Sequence, residues 1–135
     1  MIDQVPSRTF DRYWIQEWAP NRQHSGLRVG KWIVTIPDAD VDSAWATIRV
    51  ALVDGRLGPS AKCRSALPHP LIPPNGHAVI CVYTHDSDDA EDRKRVRDEL
   101  GRLGFRRIYY KTDEETRRDW RGCFSVSRHQ EEVRP

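Results

Sequence analysis

Lysine is scarce in this chain, and the few lysines lie mostly in short segments with the composition of β-strands. Of the 22 basic residues 18 are Arg, and the lysines are Lys31, Lys62, Lys94 and Lys111. An ammonium group close to other cations has a lowered pKa and can accept a proton, whereas a guanidinium group stays charged. Lysines on strands are therefore the residues whose type and placement best suit phosphate binding or proton transfer.

Three segments that carry lysine are predicted to be strands. Residues 30–36 (GKWIVTI) are rich in β-branched residues and end at a proline, and residues 60–66 (SAKCRSA) follow a Gly-Pro break. Residues 105–111 (FRRIYYK) alternate apolar and polar side chains. These compositions and boundaries are typical of short strands.

Alternation along these strands places the cations on one face of a sheet. If Trp32 faces the core, Lys31 faces away from it, and the apolar alternates Ala61 and Cys63 assign Lys62 to the same side. The residues predicted to share that face are Lys31, Lys62, Arg64, Tyr83, Tyr109 and Lys111. A register one residue off would instead make these cations solvated strand edges, and the sequence leaves both interpretations open.

The remaining segments complete an α+β pattern in a single domain over residues 1–135. Helices are predicted over 38–54 and 87–103, the second capped by Ser87, and the apolar run 77–84 is predicted to be the central strand. Residues 123–127 are predicted to be an edge strand, 1–29 irregular and 128–135 a disordered tail. The order β-α-β-β-α-β favours a mostly antiparallel sheet with two main helices on one face.

The chain length and net charge exclude some classes of protein for this sequence. A chain of 135 residues with net charge +2 suits one folded domain and not a uniformly basic nucleic-acid coat or a membrane binder. The three cysteines, Cys63, Cys81 and Cys123, form no CxxC pair, and no apolar run approaches the roughly 20 residues of a membrane helix. We expect a cytoplasmic protein with reduced thiols.

Other chemical signatures are weak in this sequence. The histidines show no HxH or HExxH spacing, and the acids after His85 suit helix capping better than a metal site. Phosphate-loop glycines and a GxSxG nucleophile motif are absent. No cofactor and no metal are expected. Trp32 and Trp45 are predicted core residues. Trp14, Trp18 and Trp120 lie on less regular segments, where each either packs against the protein or stacks on a base or sugar of a ligand.

Several longer segments resemble a known family. These are GKWIVTI, DGRLGPSAKCRSA, VICVYTHDSDDAEDRKRVRDELGRLG and YYKTDEETR. Together they resemble the family of unknown function that includes basophilic leukaemia expressed protein. The resemblance implies the fold of translation initiation factor 4E, which is a curved antiparallel sheet with helices on its convex side.

A fainter resemblance is to bacterial phosphothreonine lyases, which eliminate phosphate from phosphothreonine. Their pattern has a lysine-aromatic-histidine strand, which Lys31-Trp32-Ile33 resembles, followed by a base lysine, which Lys62 resembles. The resemblance implies that Arg64, and Arg117 or Arg118, hold phosphate. Ile33 stands where those enzymes have a general-acid histidine, so Tyr83, Lys31 or Lys111 would have to substitute for it.

Two main functions follow as hypotheses. In the first, Lys62 takes the α-proton of a phosphoserine or phosphothreonine peptide while Lys31, Arg64, Lys111 and Arg117 hold the phosphate. In the second, the same face is a non-catalytic module that binds a nucleotide, an RNA end or a phosphorylated protein. A third possibility is an interaction domain whose edge strand pairs with a partner or with itself.

Overall fold

The computed structural model describes residues 5–20, 29–71 and 73–116. Within these ranges the chain forms β1 (Trp14–Trp18), β2 (Gly30–Pro37), α1 (Val41–Val53), β3 (Ser60–Arg64), β4 (His77–Thr84), α2 (Ala90–Arg102) and β5 (Ile108–Thr112). Short 3-10 turns, Pro6–Arg8 and Asp38–Asp40, precede β1 and α1. A further helical turn begins directly after β5, at residue 113.

The five strands form one sheet in the order β1-β3-β4-β2-β5, and every neighbouring pair is antiparallel. The apolar run His77–Thr84 is the middle strand, which confirms the prediction for residues 77–84. The register aligns Lys62 with Cys81, Lys31 with Tyr83, and Lys31 with Lys111. The α+β class and the antiparallel sheet are therefore as predicted.

Both helices contribute to a core on one side of the sheet. Trp32 and Val34 of β2 are almost fully buried in a cluster with Trp45 and Ile48 of α1 and Leu100 of α2. Ile36, the next residue on the same face of β2, packs against this cluster, whereas the alternate residues Lys31 and Ile33 are not part of it. This confirms the predicted alternation, and it confirms Trp32 and Trp45 as core residues.

The ends of the helices differ in detail from the prediction. Asp89 caps α2 by accepting a hydrogen bond from the backbone N–H of Asp92, so the expectation of a Ser87 cap was wrong. An aspartate carboxylate suits this position because it also lies at the positive end of the helix dipole. Both helices have 13 residues, and within the described ranges no helix is long and apolar enough to cross a membrane.

The strand β1 was not predicted, since residues 1–29 were expected to be irregular. Trp14–Trp18 pairs with the whole of β3 and places Ile15 in the core. It adds a strand before the predicted order, so the described chain runs β-β-α-β-β-α-β. The predicted edge strand 123–127 and the tail 128–135 lie outside the described residues.

Gly58 allows the loop after α1 to lie against the end of β4. A Cβ atom at Gly58 would lie 1.8 Å from the carbonyl oxygen of Tyr83. Because that oxygen belongs to the backbone of the central strand, it cannot move aside by a simple rotamer change. A side chain at this position therefore displaces either the loop or β4.

We expect Gly58→Ala to lower the free energy of unfolding by about 1–3 kcal/mol, the range of overpacked interior sites. Urea unfolding followed by circular dichroism measures the change. Gly55→Asn is the matched control because Gly55 has φ 75° and open space around its Cα. Asparagine tolerates that backbone conformation, so the control should lose less than about 1 kcal/mol. Equal losses in the two variants would contradict the contact with β4.

Candidate functional site

The side of the sheet opposite the two helices carries a cluster of basic and phenolic side chains. Residues aligned across an antiparallel pair project to the same face, so the observed register settles which side chains share it. The members predicted from the sequence do share it: Lys31, Lys62, Arg64, Tyr83, Tyr109 and Lys111. We call this surface, defined by those six residues, the cationic face.

Two rows of aligned residues cross the cationic face. One row contains Tyr83, Lys31 and Lys111. Lys31 and Lys111 are directly opposite one another, an arrangement of like charges that destabilises a sheet unless an anion lies nearby. Asp113, which follows β5, supplies that anion.

Lys31 is buried despite its charge. Only 6% of its surface is exposed. Its Nζ atom donates a hydrogen bond to Thr116 Oγ1 at 3.1 Å and forms an ion pair with Asp113 Oδ1 at 3.5 Å. Nζ also lies 5.6 Å from the centre of the Tyr83 ring. Lys31 is therefore not a solvated edge, and its ammonium group is held by the helical turn after β5.

Lys62 is half-buried and lies in the second row. Its Nζ atom lies 4.2 Å from the centre of the Trp14 ring, which is a cation–π contact. Burial lowers the pKa of Lys62, and the charge of Lys31 lowers it further. The carboxylate of Asp113 acts in the opposite direction. The net lowering means that Lys62 loses its proton more readily than an ordinary lysine.

The surface between Lys62 and Tyr109 is apolar. Cys81 and Ile33 fill it and are 3% and 6% exposed. Burial raises the pKa of the Cys81 thiol, which therefore stays protonated. Ile33 lies between Cys81 and Tyr109 in this row. Its side chain has no proton to donate.

Tyr83 lies beside Lys31 at the end of β4. Burial raises the pKa of its phenol, and the negative charge of Asp113 raises it further. The hydroxyl group therefore keeps its proton at neutral pH and is a hydrogen-bond donor on this face. Arg64, at the end of β3, is half-buried and aligned with Trp14. Arg117 and Arg118 lie outside the described residues.

Sequence reasoning missed Asp113 and Thr116. They are positioned by a capping box, in which Thr112 Oγ1 accepts from the backbone N–H of Glu115 and Glu115 Oε1 accepts from the backbone N–H of Thr112. This reciprocal pair starts a helical turn right at the end of β5. The signal was available in the sequence as Thr112-Asp-Glu-Glu115, a T-x-x-E pattern directly after a strand.

Other possible sites lie away from the cationic face. A pocket of about 340 Å³ is lined by Ala19, Pro20, Val53, Asp54, Gly55, Leu57, Gly58 and His85. None of the six residues that define the cationic face lines it. No group of three or more His, Cys, Asp or Glu side chains among the described residues is arranged to hold a metal ion.

A comparison with protein families finds a match over most of this chain. The family described as Basophilic leukemia-expressed protein Bles03 matches residues 15–117, about three quarters of the chain. The matched range contains β2 to β5 and both longer helices. It therefore confirms the first resemblance noted in the sequence, whereas the resemblance to phosphothreonine lyases stays a prediction.

The lowered pKa of Lys62 predicts a pH-dependent stability. The unfolded chain keeps the Lys62 proton up to the ordinary value of 10.5, while the folded protein releases it at lower pH. Between the two values the unfolded state binds more protons, so the free energy of unfolding gains a contribution that rises with pH. Lys62→Met lacks this contribution. Its stability relative to wild type should be most favourable at neutral pH and should decline towards pH 10.5.

Urea unfolding at a series of pH values measures this difference. Lys94→Met on the exposed surface of α2 is the control for the loss of a lysine, because the Lys94 side chain is 68% exposed. A pH dependence equal in the two variants would contradict the effect of burial at Lys62.

Proposed function

We propose that this chain, which belongs to the family of basophilic leukemia-expressed protein Bles03, binds a phosphorylated ligand at Lys62 and Arg64 on its cationic face. The observation that carries the proposal is the antiparallel register, which aligns two half-buried cations of β3 on one face. Residues two apart on a strand are about 7 Å from each other, so both side chains can reach one phosphate group.

The charges around Lys31 support this placement of the ligand. The ammonium group of Lys31 already has Asp113 and Thr116 as partners. A phosphate at that end would compete with the carboxylate of Asp113. Lys62 and Arg64 lie on β3, which β4 and β2 separate from β5. A phosphate bound at Lys62 and Arg64 pairs with the compact charge of the lysine ammonium group and with the bidentate guanidinium group of the arginine. It lies away from the carboxylate of Asp113.

Elimination of phosphate is the reaction that this arrangement best suits, and the lowered pKa of Lys62 favours it. Neutral Lys62 takes the α-proton of a phosphoserine or phosphothreonine residue as the Cα–H bond breaks. That electron pair forms a double bond between Cα and Cβ. The bond between Cβ and the phosphate oxygen breaks, phosphate leaves with the bonding electrons, and Lys62 keeps the proton.

The departing phosphate needs charge stabilisation because Ile33 cannot protonate it. Arg64 supplies a fixed positive charge, and the protonated phenol of Tyr83 is the further donor that we assign. Lys31 acts in this scheme through its charge, which helps to lower the pKa of Lys62. Lys111 and Tyr109, which the sequence assigned to ligand binding, lie on β5, and β4 and β2 separate them from a phosphate at Lys62 and Arg64.

A non-catalytic binding module is the second candidate. The Trp14 ring lies on the cationic face next to Arg64 and beneath Lys62, so an aromatic surface and two cations are adjacent. A nucleotide or RNA end could stack its base there and place its phosphate on the cations. The curved sheet expected of an initiation-factor-4E-like fold is consistent with this candidate.

Loss of either cation should weaken phosphate binding. We expect Lys62→Ala and Arg64→Ala each to raise the dissociation constant for a phosphothreonine peptide by about tenfold or more, since a hydrogen bond to a charged group contributes about 1.5–3 kcal/mol. Isothermal titration calorimetry measures the constants, and the unphosphorylated peptide is the ligand control. Lys94→Ala is the matched protein control and should bind as wild type. Binding that is unaffected by both substitutions would disprove this placement of the ligand.

Elimination predicts a definite product. Incubation with the phosphothreonine peptide should yield a peptide lighter by one molecule of phosphoric acid, detected by mass spectrometry. Lys62→Ala should abolish the product, while Lys94→Ala should not affect it. Peptide binding without any such product over a wide pH range would instead favour the binding module.

A further inference from the structure

Among the described residues, β1 is the outermost strand at one edge of the sheet, and it borders the cationic face. Its neighbour in the sheet is β3, which bears Lys62 and Arg64. The side chains of Trp14, Gln16 and Trp18 project to the same face as those cations, because they align with Arg64, Lys62 and Ser60. Gln16 is exposed and Trp18 is 38% exposed, so this part of the edge is accessible.

The backbone of β1 has polar groups directed away from the sheet. Ser65 donates its backbone N–H to the carbonyl of Tyr13 at 2.9 Å, and Ala19 donates to the carbonyl of Pro59 at 2.8 Å. In an antiparallel ladder the residues that bond to the neighbouring strand alternate with residues whose N–H and C=O point outward. The residues of β1 whose backbone N–H and C=O groups point away from β3 are therefore Trp14, Gln16 and Trp18. The backbone N–H of Trp18 donates a hydrogen bond to Glu17 Oε2 at 3.4 Å.

We infer that an extended peptide carrying phosphoserine or phosphothreonine adds to β1 as a sixth, antiparallel strand. This inference rests on the proposed function and specifies its ligand. A peptide residue that exchanges both hydrogen bonds with Gln16 projects its side chain onto the cationic face. Its phosphate then extends the row that contains Gln16, Lys62 and Cys81.

The distances permit this contact. Neighbouring strands are about 4.8 Å apart, so the Cα atoms of the peptide residue and Lys62 would be separated by about 10 Å, with Gln16 between them. A phosphorylated side chain and a lysine side chain, each directed toward the other, together span that gap. Trp14 and Trp18 stand on either side of Gln16 along the strand and supply apolar contacts for the peptide residues two before and two after.

Charge selects this partner over a second copy of the chain. Antiparallel pairing of two β1 strands would continue the sheet and place two cationic faces side by side. Both would carry Lys62 and Arg64 next to the junction, and like charges across an interface oppose association. A phosphorylated peptide brings the opposite charge to the same edge.

Peptides with methylated backbone nitrogens test the strand addition. Methylation at the residues two before and two after the phosphothreonine removes the N–H groups that bond to β1. This doubly methylated peptide should bind about tenfold or more weakly, since each hydrogen bond contributes about 1 kcal/mol and the methyl groups also obstruct pairing. Methylation at the adjacent residues, whose N–H groups point outward, is the control and should alter the dissociation constant by less than about threefold. Calorimetry with the full chain gives the constants.

Two protein variants test the same contact from the other side. Gln16→Pro removes the outward N–H of β1, a change that edge strands tolerate, and should weaken binding by about tenfold. Gln16→Ala keeps the N–H, so the comparison of the two variants separates the loss of the side chain from the loss of the backbone hydrogen bond, and Gln16→Pro should bind clearly more weakly than Gln16→Ala. Circular dichroism and the urea midpoint establish that both variants are folded. If Gln16→Pro does not fold, the pair of methylated peptides still decides the outcome.

The outcomes separate this inference from the proposed function. Binding that depends on Lys62 but is equally tolerant of both methylation patterns overturns strand addition and leaves the proposed function intact. Equal binding of the unphosphorylated peptide overturns the requirement for phosphate. No binding of the phosphopeptide at all overturns both. The inference is supported if the doubly methylated peptide binds more weakly than its control peptide and if binding of the phosphopeptide also depends on Lys62.

Discussion

The buried ammonium group of Lys31 is the interaction on which the cationic face depends. A charge removed from water is stable in a folded protein only if partners replace the water. Here the partners are Asp113 and Thr116, which belong to the turn after β5. The position of that turn, the balance of charge between Lys31 and Lys111, and the electrostatic environment of Lys62 are therefore linked. Removal of Asp113 would take away the carboxylate that forms the ion pair with Lys31.

The opposite face of the same strands fixes these side chains in place. The indole N–H of Trp32 donates to the backbone carbonyl of Arg93 on α2, at 3.0 Å. On the strands beside β2, Thr84 and Tyr110 join their hydroxyl groups at 2.6 Å, and the Thr84 hydroxyl also donates to the carbonyl of Gly30. Successive residues of a strand point to opposite faces of the sheet. The residues that pack in the core on the helix side therefore determine which residues lie on the cationic face.

The parts of the fold that show a regular spacing of apolar residues could be predicted from the sequence. The apolar run of β4, the alternation of β2 and the stripe on α1 each identified an element and its buried face. The six members of the cationic face followed from the same alternation. Strand β1 was missed because five residues with two prominent tryptophans, near a proline and a glycine, look as much like an aromatic anchor as a strand. Only its pairing with β3 distinguishes the two.

The burial of Lys31 could not have been predicted from alternation alone. Alternation assigns a side chain to a face, but it does not show what packs over that face. That information came from the turn after β5, whose capping box links residues about 80 positions away to β2. Long-range contacts of this kind depend on how the whole sheet is assembled, and a single local pattern does not determine them.

The contact between Lys62 and Trp14 has a spectroscopic consequence. An ammonium group 4.2 Å from the centre of an indole ring perturbs the excited state of that ring through its field. When Lys62 loses its proton or turns toward an anion, that field at Trp14 changes, while Trp32 and Trp45 remain enclosed in the core on the other side of the sheet. The emission of Trp14 should therefore change with the charge and position of the Lys62 ammonium group.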